Sequence, residues 1–191
     1  EGVRRPRRGL LQSRAQWYHR LMTHHLRQPL IIAHRGASAV APESTRAAIR
    51  AAVRAGADMV ELDVQLSRDG RLVVFHDDRL DRTTNGQGPV ASHRYAALAR
   101  LDAGRWFHPR FAGERILSVA QAAALIPPPV GINLELKRTS SGTALRRHLL
   151  RLLGRLSLRR RLLLSSFEPA LLRPFRPHRL ALALICREDA E

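Results

Sequence analysis

Two segments of this 191-residue chain alternate apolar and polar residues without a break, and they constrain its fold more than any other feature. From Met59 to Leu66, Val60, Leu62, Val64 and Leu66 fall on one side and Glu61, Asp63 and Gln65 on the other. From Ile132 to Lys137 the design repeats: Ile132, Leu134 and Leu136 oppose Asn133, Glu135 and Lys137. Successive side chains of a strand point to opposite faces, so a period of two predicts two strands, each with an apolar and a charged face. In a closed barrel the apolar faces would pack outward against helices. The charged residues near the strand ends would then gather over the mouth, where barrel enzymes hold their active sites.

The rest of the chain alternates short β-like runs with helix-like stretches, which predicts an α/β architecture. Leu30 to Ala33, Leu72 to His76, Leu162 to Ser166 and Leu180 to Cys186 bring the strand count to six. Ser44 can cap a helix whose apolar positions Ala48, Ile49, Ala52 and Val53 recur at helical spacing until Gly56. Ser118 caps an alanine-rich helix running to Ile126 and stopped by Pro127-Pro128-Pro129, and Gly142 to Leu156 is amphipathic, with leucines on one side and arginines on the other. The turn Ser67-Arg68-Asp69-Gly70 is too short to hold a crossover helix, which leaves a hairpin or an extended return. Asp77 to Ile116 reads as a long functional insertion loop, and residues 1–29 as a basic extension closed by Pro29, outside the core.

Composition narrows the function classes. The length suits one domain. Cys186 is the only cysteine, so an internal disulfide and a cysteine zinc cluster are excluded, and any metal must be held by oxygen or nitrogen. The net charge of +17 invites a nucleic-acid reading, but no aromatic residues interleave with the arginines as a base-stacking groove requires. Specific nucleic-acid binding is therefore not expected, while weak contact with an anionic membrane surface stays open. No apolar run approaches the roughly 20 residues that span a bilayer, and no secretory apolar core follows the basic N-terminus, so a cytoplasmic location is expected. No pattern specifies an oligomeric state. Lys137 is the only lysine among 33 basic residues, so its presence beside Glu135 is not a product of composition.

Chemistry-bearing residues cluster at the ends of the expected strands. His34-Arg35-Gly36 follows the first strand, joining a group that exchanges protons near neutral pH to a guanidinium fork suited to phosphate oxygens. Glu61 and Asp63, two apart on one strand face, can reach a single hard cation, and Glu135 on the matching strand adds a third carboxylate; such oxygens suit Mg²⁺ or Ca²⁺. Lys137 faces the same way as Glu135, and His76-Asp77 supplies a second proton-transfer group. Phosphodiester hydrolysis requires a base, an acid for the leaving alkoxide, and positive charge around the transition state. Together these residues fill that list.

Taken in order, His34-Arg35-Gly36, Pro42-Glu43-Ser44-Thr45, Glu61-Leu62-Asp63, His76-Asp77, Arg82-Thr83-Thr84-Asn85-Gly86 and Glu135-Leu136-Lys137 resemble the motifs of the glycerophosphodiester phosphodiesterase family over roughly residues 30–186. The resemblance implies a TIM-type β/α barrel and a metal-dependent hydrolysis of glycerophosphodiesters to sn-glycerol 3-phosphate and an alcohol. It implies His34 and His76 as acid and base, and Glu61, Asp63 and Glu135 as ligands of Mg²⁺ or Ca²⁺. Arg35 and Lys137 would contact phosphate, and Glu43 would lie near the site. Trp106-Phe107 and the Thr83 to Gly86 loop would help cover the glycerol pocket, with Phe167 at a strand end facing it. Ser44 stands where the family usually has Asn. The family barrel has eight strands and this sequence supplies six, so the expectation is a barrel ending after its sixth strand. The alternative is an inactive copy that binds anions or membrane surfaces through its basic residues.

Overall fold

The computed structural model describes residues 29–137, 142–155, 158 and 161–186. The basic segment expected as an extension (1–28) and Leu156, expected to end an amphipathic helix, lie outside these residues. One sheet holds six strands: β1 (Ile32–Ala33), β2 (Met59–Leu66), β3 (Leu72–Val74), β4 (Gly131–Leu136), β5 (Leu162–Ser166) and β6 (Ala181–Leu184). The order β1-β2-β4-β5-β6 is parallel throughout, with β3 attached antiparallel to the end of β2. The structure is therefore a partial α/β barrel, and the connection at Ser67–Gly70 is a hairpin rather than an extended return. Its turn is closed by Ser67 N donating to Arg71 O (3.0 Å) and Gly70 N donating to Ser67 O (2.9 Å).

Among the described residues five α-helices accompany the strands: α1 (Arg46–Arg54), α2 (Tyr95–Leu98), α3 (Val119–Ala124), α4 (Gly142–Arg155) and α5 (Pro169–Leu172). Thr45, not Ser44, caps α1 by accepting from Ala48 N. Ser118 caps α3 in a reciprocal box with Gln121. The apolar face of the sheet meets the helices as the alternation requires. Val60, Leu62, Val64, Ile132, Leu134 and Leu136 share one core with Ile49 and Ala52 of α1, Ala122 of α3, and Leu145 and Leu149 of α4. None of the described helices is long and apolar enough to cross a membrane.

The stretch after β3 corrects the expectation of a long loop. It contains 3₁₀ turns at Val90–Ser92 and Pro109–Phe111 as well as α2. It also closes over a second core of Val73, Phe75, Leu80, Val90, Leu98, Ala103 and Ile116. Apolar residues spaced irregularly in a Gly- and Asp-rich segment give no period, so this small core is invisible to pattern reading. β1 and β6 are the sheet edges, where Ile32 and Leu184 are about half exposed. His76 lies two residues past β3, which ends at Val74.

Candidate active site

The floor of the site follows from strand register. β2 and β4 pair in parallel with Glu61 opposite Asn133 and Asp63 opposite Glu135, so the acidic residues of both strands project from one face at one level. Oxygen atoms of Glu61, Asp63 and Glu135 all lie within 4.8 Å of one another, and all three side chains are buried. Carboxylates removed from water cost several kcal/mol each unless counter-charged. Lys137, just past the end of β4, brings Nζ to 2.6 Å from Glu135 Oε1 and 2.9 Å from Asp63 Oδ1. Arg35 Nε stands 3.4 Å from Asp63 Oδ2, and Arg35 N donates to Glu61 Oε2 at 2.8 Å. These two cations do not complete the site. Glu61 Oε1 and both Asp63 oxygens lack a donor in hydrogen-bonding geometry. Burial, reinforced by Asp63, pushes the Glu61 carboxyl up to about 8. Burial works against the Lys137 ammonium, but the carboxylates of Glu135 and Asp63 outweigh it and hold its pKa above the ordinary value. Unsatisfied buried oxygens of an all-carboxylate set fit a hard divalent cation.

The loop from β1 to α1 carries His34, Arg35 and Glu43. Arg35, Gly36 and Ser44 all have positive φ (54°, 80° and 61°), so the backbone there is held in a conformation that non-glycine residues seldom adopt. A Cβ on Gly36 would come within 2.7 Å of the Ala48 carbonyl carbon, so the absence of a side chain lets the loop lie directly on α1. His34 is exposed at the mouth; partial burial, then Arg35, lower its pKa below the ordinary value against the opposing pull of Asp63 and Glu135.

The rim is made of charge pairs. Asp77 Oδ1 lies 2.6 Å from His76 Nδ1. Arg82 donates to Asp77 through Nε (2.6 Å) and one terminal nitrogen (3.0 Å), and to both oxygens of Glu43 (2.8 and 3.1 Å). Arg35 reaches Glu43 Oε1 at 3.2 Å. Hydrogen bonds from Arg82, then from His76, hold the Asp77 carboxyl down to about 2, despite some burial. Burial tends to raise the Glu43 carboxyl, but Arg82 and Arg35 keep it below its usual range. Behind them the buried Gln65 amide on β2 donates to the carbonyls of Phe75 (3.0 Å), His76 (3.1 Å) and Asp77 (2.7 Å).

The structure thus brings together His34, Arg35, Glu43, Glu61, Asp63, His76, Glu135 and Lys137. Phe167 stands exposed beyond β5, next to Ser166, whose hydroxyl donates to Leu136 O. Trp106 is partly exposed with the Arg82 guanidinium 5.9 Å from its ring centre. The sequence named Asp77 and Arg82 as members of the His76-Asp77 and Arg82 to Gly86 motifs without a role of their own, and it left Gln65 aside. Gln65 could have been found, since it continues the Glu61, Asp63 face by the same period of two. The contacts of Arg82 could not, because its partners lie 39 and 5 residues away.

Known proteins share the sequence pattern and the fold of this chain. The profile of the Glycerophosphoryl diester phosphodiesterase family matches residues 34–182. A glycerophosphodiester phosphodiesterase of Caldanaerobacter subterraneus subsp. tengcongensis is 42% identical over 144 residues, covering 73% of this chain and 58% of its own. An Oleispira antarctica phosphodiesterase, solved in complex with the product sn-glycerol-3-phosphate, superposes with a TM-score of 0.74 at 36% identity, over 81% of this chain and 64% of that one. A glycerophosphodiester phosphodiesterase from Agrobacterium tumefaciens gives 0.68 at 35% identity, over 79% and 64%. The chain spans less than two thirds of the length of these curated relatives.

Proposed function

The chain belongs to the glycerophosphoryl diester phosphodiesterase family, and on that premise we propose that it carries the catalytic floor of a metal-dependent hydrolysis of glycerophosphodiesters to sn-glycerol 3-phosphate and an alcohol. The observation that supports this most is the buried Glu61, Asp63 and Glu135 trio with unsatisfied oxygens, flanked by Arg35 and Lys137. These three carboxylates would hold the cation, Mg²⁺ or Ca²⁺. When bound, it supplies charge that stabilises the phosphoryl oxygens in the transition state. Arg35 and Lys137 bind and orient the phosphate, turning from the carboxylates they now face toward its oxygens. His34 and His76 divide the proton work: as water forms the new bond to phosphorus and the bond to the alcohol oxygen breaks, one takes the proton of the water and the other gives one to the departing alkoxide. Glu43 steadies Arg35. Trp106 and Phe167, each partly exposed, would line the approach to the glycerol pocket.

The test is hydrolysis of glycerophosphocholine and glycerophosphoethanolamine with Mg²⁺ or Ca²⁺, with and without chelator. Chelator-sensitive release of glycerol 3-phosphate is the expected result. Absence of release with either ion, or release indifferent to chelator, would defeat the proposal.

A second reading is favoured by one groove of about 480 Å³ along α1, where Arg46, Arg50, Arg54 and Arg110 outnumber the one carboxylate of the lining, Glu114, around Ala47 and Phe111. No ion pair joins these four arginines to an acidic side chain among the described residues. They would attract an anionic membrane surface. Salt-sensitive binding to anionic vesicles with no metal-dependent turnover would favour this reading over the first.

A further inference from the structure

Resting on the hydrolysis reading, we propose that Arg82 is a positioning residue: its guanidinium ties Asp77 to Glu43, and through Asp77 it fixes which ring nitrogen of His76 exchanges the proton. The geometry is that of a fork shared between two carboxylates. Three nitrogens of Arg82 make four hydrogen bonds of 2.6 to 3.1 Å, two to Asp77 and two to Glu43. A lysine has one nitrogen and cannot hold both carboxylates in one plane.

Asp77 Oδ1 is where the two halves meet, since it takes both Arg82 (3.0 Å) and His76 Nδ1 (2.6 Å). An ionised carboxylate only accepts, so the shared proton sits on Nδ1 and the exchange is left to Nε2. The backbone at His76 is already held by the Gln65 amide, so the ring torsions are the freedom that remains, and Asp77 removes it. The charged groups around this ring are Asp77 beside it, Arg82 from the insertion, and His34 and Glu43 from the β1–α1 loop. Glu43 also takes Arg35. One chain of contacts, Arg35–Glu43–Arg82–Asp77–His76, therefore joins the proposed phosphate grip to the proposed proton carrier.

A purely structural Arg82 would staple the insertion to the β1–α1 loop and leave the ring alone. The two roles separate in the ¹⁵N spectrum of the imidazoles of the 191-residue chain above the histidine pKa, with His76 assigned by its loss in His76→Gln. Wild type is expected as the Nδ1–H tautomer. Arg82→Ala should raise the Nε2–H population several-fold, lower kcat on glycerophosphoethanolamine by about 10- to 100-fold as for other groups that orient a reacting residue, and leave KM within about threefold. Arg82→Lys should fall between. If Arg82→Ala does not fold, Arg82→Gln carries the same measurement. An unchanged His76 tautomer in these variants overturns the proposal, whatever happens to activity. So does an intact kcat with only a lower unfolding temperature. The ring measurement needs no turnover, so an inactive wild-type chain would count against hydrolysis while the tautomer still decides the role of Arg82.

Discussion

Asp63 and Asp77 face the same mouth, yet they are held by opposite means. Asp63 is fully buried on β2, fixed by the β4 ladder on one side and by Phe75 N donating to its carbonyl on the other, and its oxygens are faced by Lys137 (2.9 Å) and Arg35 (3.4 Å) outside hydrogen-bonding geometry. Asp77 sits past the end of β3 with its side chain 24% exposed, and both of its oxygens are engaged by His76 and Arg82. The floor is buried and electrostatically incomplete, whereas the rim is partly exposed and its charges are paired with one another. A buried cluster of like charges that hydrogen bonding does not relieve is a site arranged around something else, and a self-paired rim serves to aim side chains. Perturbations of the floor should therefore act through the ion, and perturbations of the rim through pH and geometry.

The largest effect is expected from Glu135→Gln, which removes one charge from the ion site at constant volume. Metal-dependent turnover should drop below detection with the unfolding transition still cooperative, and calorimetric titration should show Mg²⁺ or Ca²⁺ affinity lost. Wild-type affinity in this variant would dissolve the distinction between floor and rim. Next come His34→Ala and His76→Ala, each expected to slow hydrolysis by about 10²- to 10⁴-fold, with losses that do not multiply in the double variant because both serve one reaction. A histidine whose loss changes the rate only a few-fold has no part in proton transfer.

Glu61→Gln sharpens the contrast in a direction that runs against ordinary loss of function. With chelator present near neutral pH, replacing a carboxyl whose ionisation the buried floor opposes should raise the unfolding temperature by a few degrees, about 1 kcal/mol for a domain of this size. The stabilisation that Mg²⁺ or Ca²⁺ gives the wild type should vanish in the same variant. A lower unfolding temperature in chelator would mean that Arg35 and Lys137 already satisfy the floor.

The rim should answer to acid instead. Asp77, held down to about 2, and Glu43, held below its usual range, have folded pKa values under their unfolded ones. Their contribution to stability is then present above about pH 4 and is lost as pH falls toward 2. Arg82→Ala has less of it to lose. The gap in unfolding temperature between wild type and Arg82→Ala should stay constant from pH 7 to 5 and close as pH drops to 2; a gap independent of acid would remove these pairs from the stability of the rim. The smallest effect is expected at Ser44, whose φ of 61° costs a non-glycine residue about 1 kcal/mol. Glycine there relieves that cost and adds freedom to the unfolded chain, so Ser44→Gly should change stability by less than about 1 kcal/mol by denaturant titration.

The same division governs what was legible in the sequence. Glu61, Asp63 and Glu135 could be read because a strand writes its faces into the chain every second residue, and parallel register then does the rest. His34 and His76 could be read because each follows an apolar run. The contacts of Arg82 could not, since they join segments by side chains across an exposed gap and leave no period. The second core under Leu80, Val90 and Leu98 escaped for the same reason. The cap of α1 fell on Thr45 instead of Ser44 because Ser44 is taken up in the left-handed turn that delivers the loop to the helix.

The order of strands in the sheet also sets a timetable. Apart from the β3 hairpin, each strand pairs with the parallel strand made just before it, so on a ribosome releasing about 5–20 residues per second every newcomer finds its neighbour already waiting at the growing edge. Docking of β4 on β2 brings Glu135 beside Asp63 with no contribution from β5 or β6, which lie beyond β4 in the sheet. The trio of carboxylates thus needs two strands and no more, and a cation held by it would clamp β2 to β4.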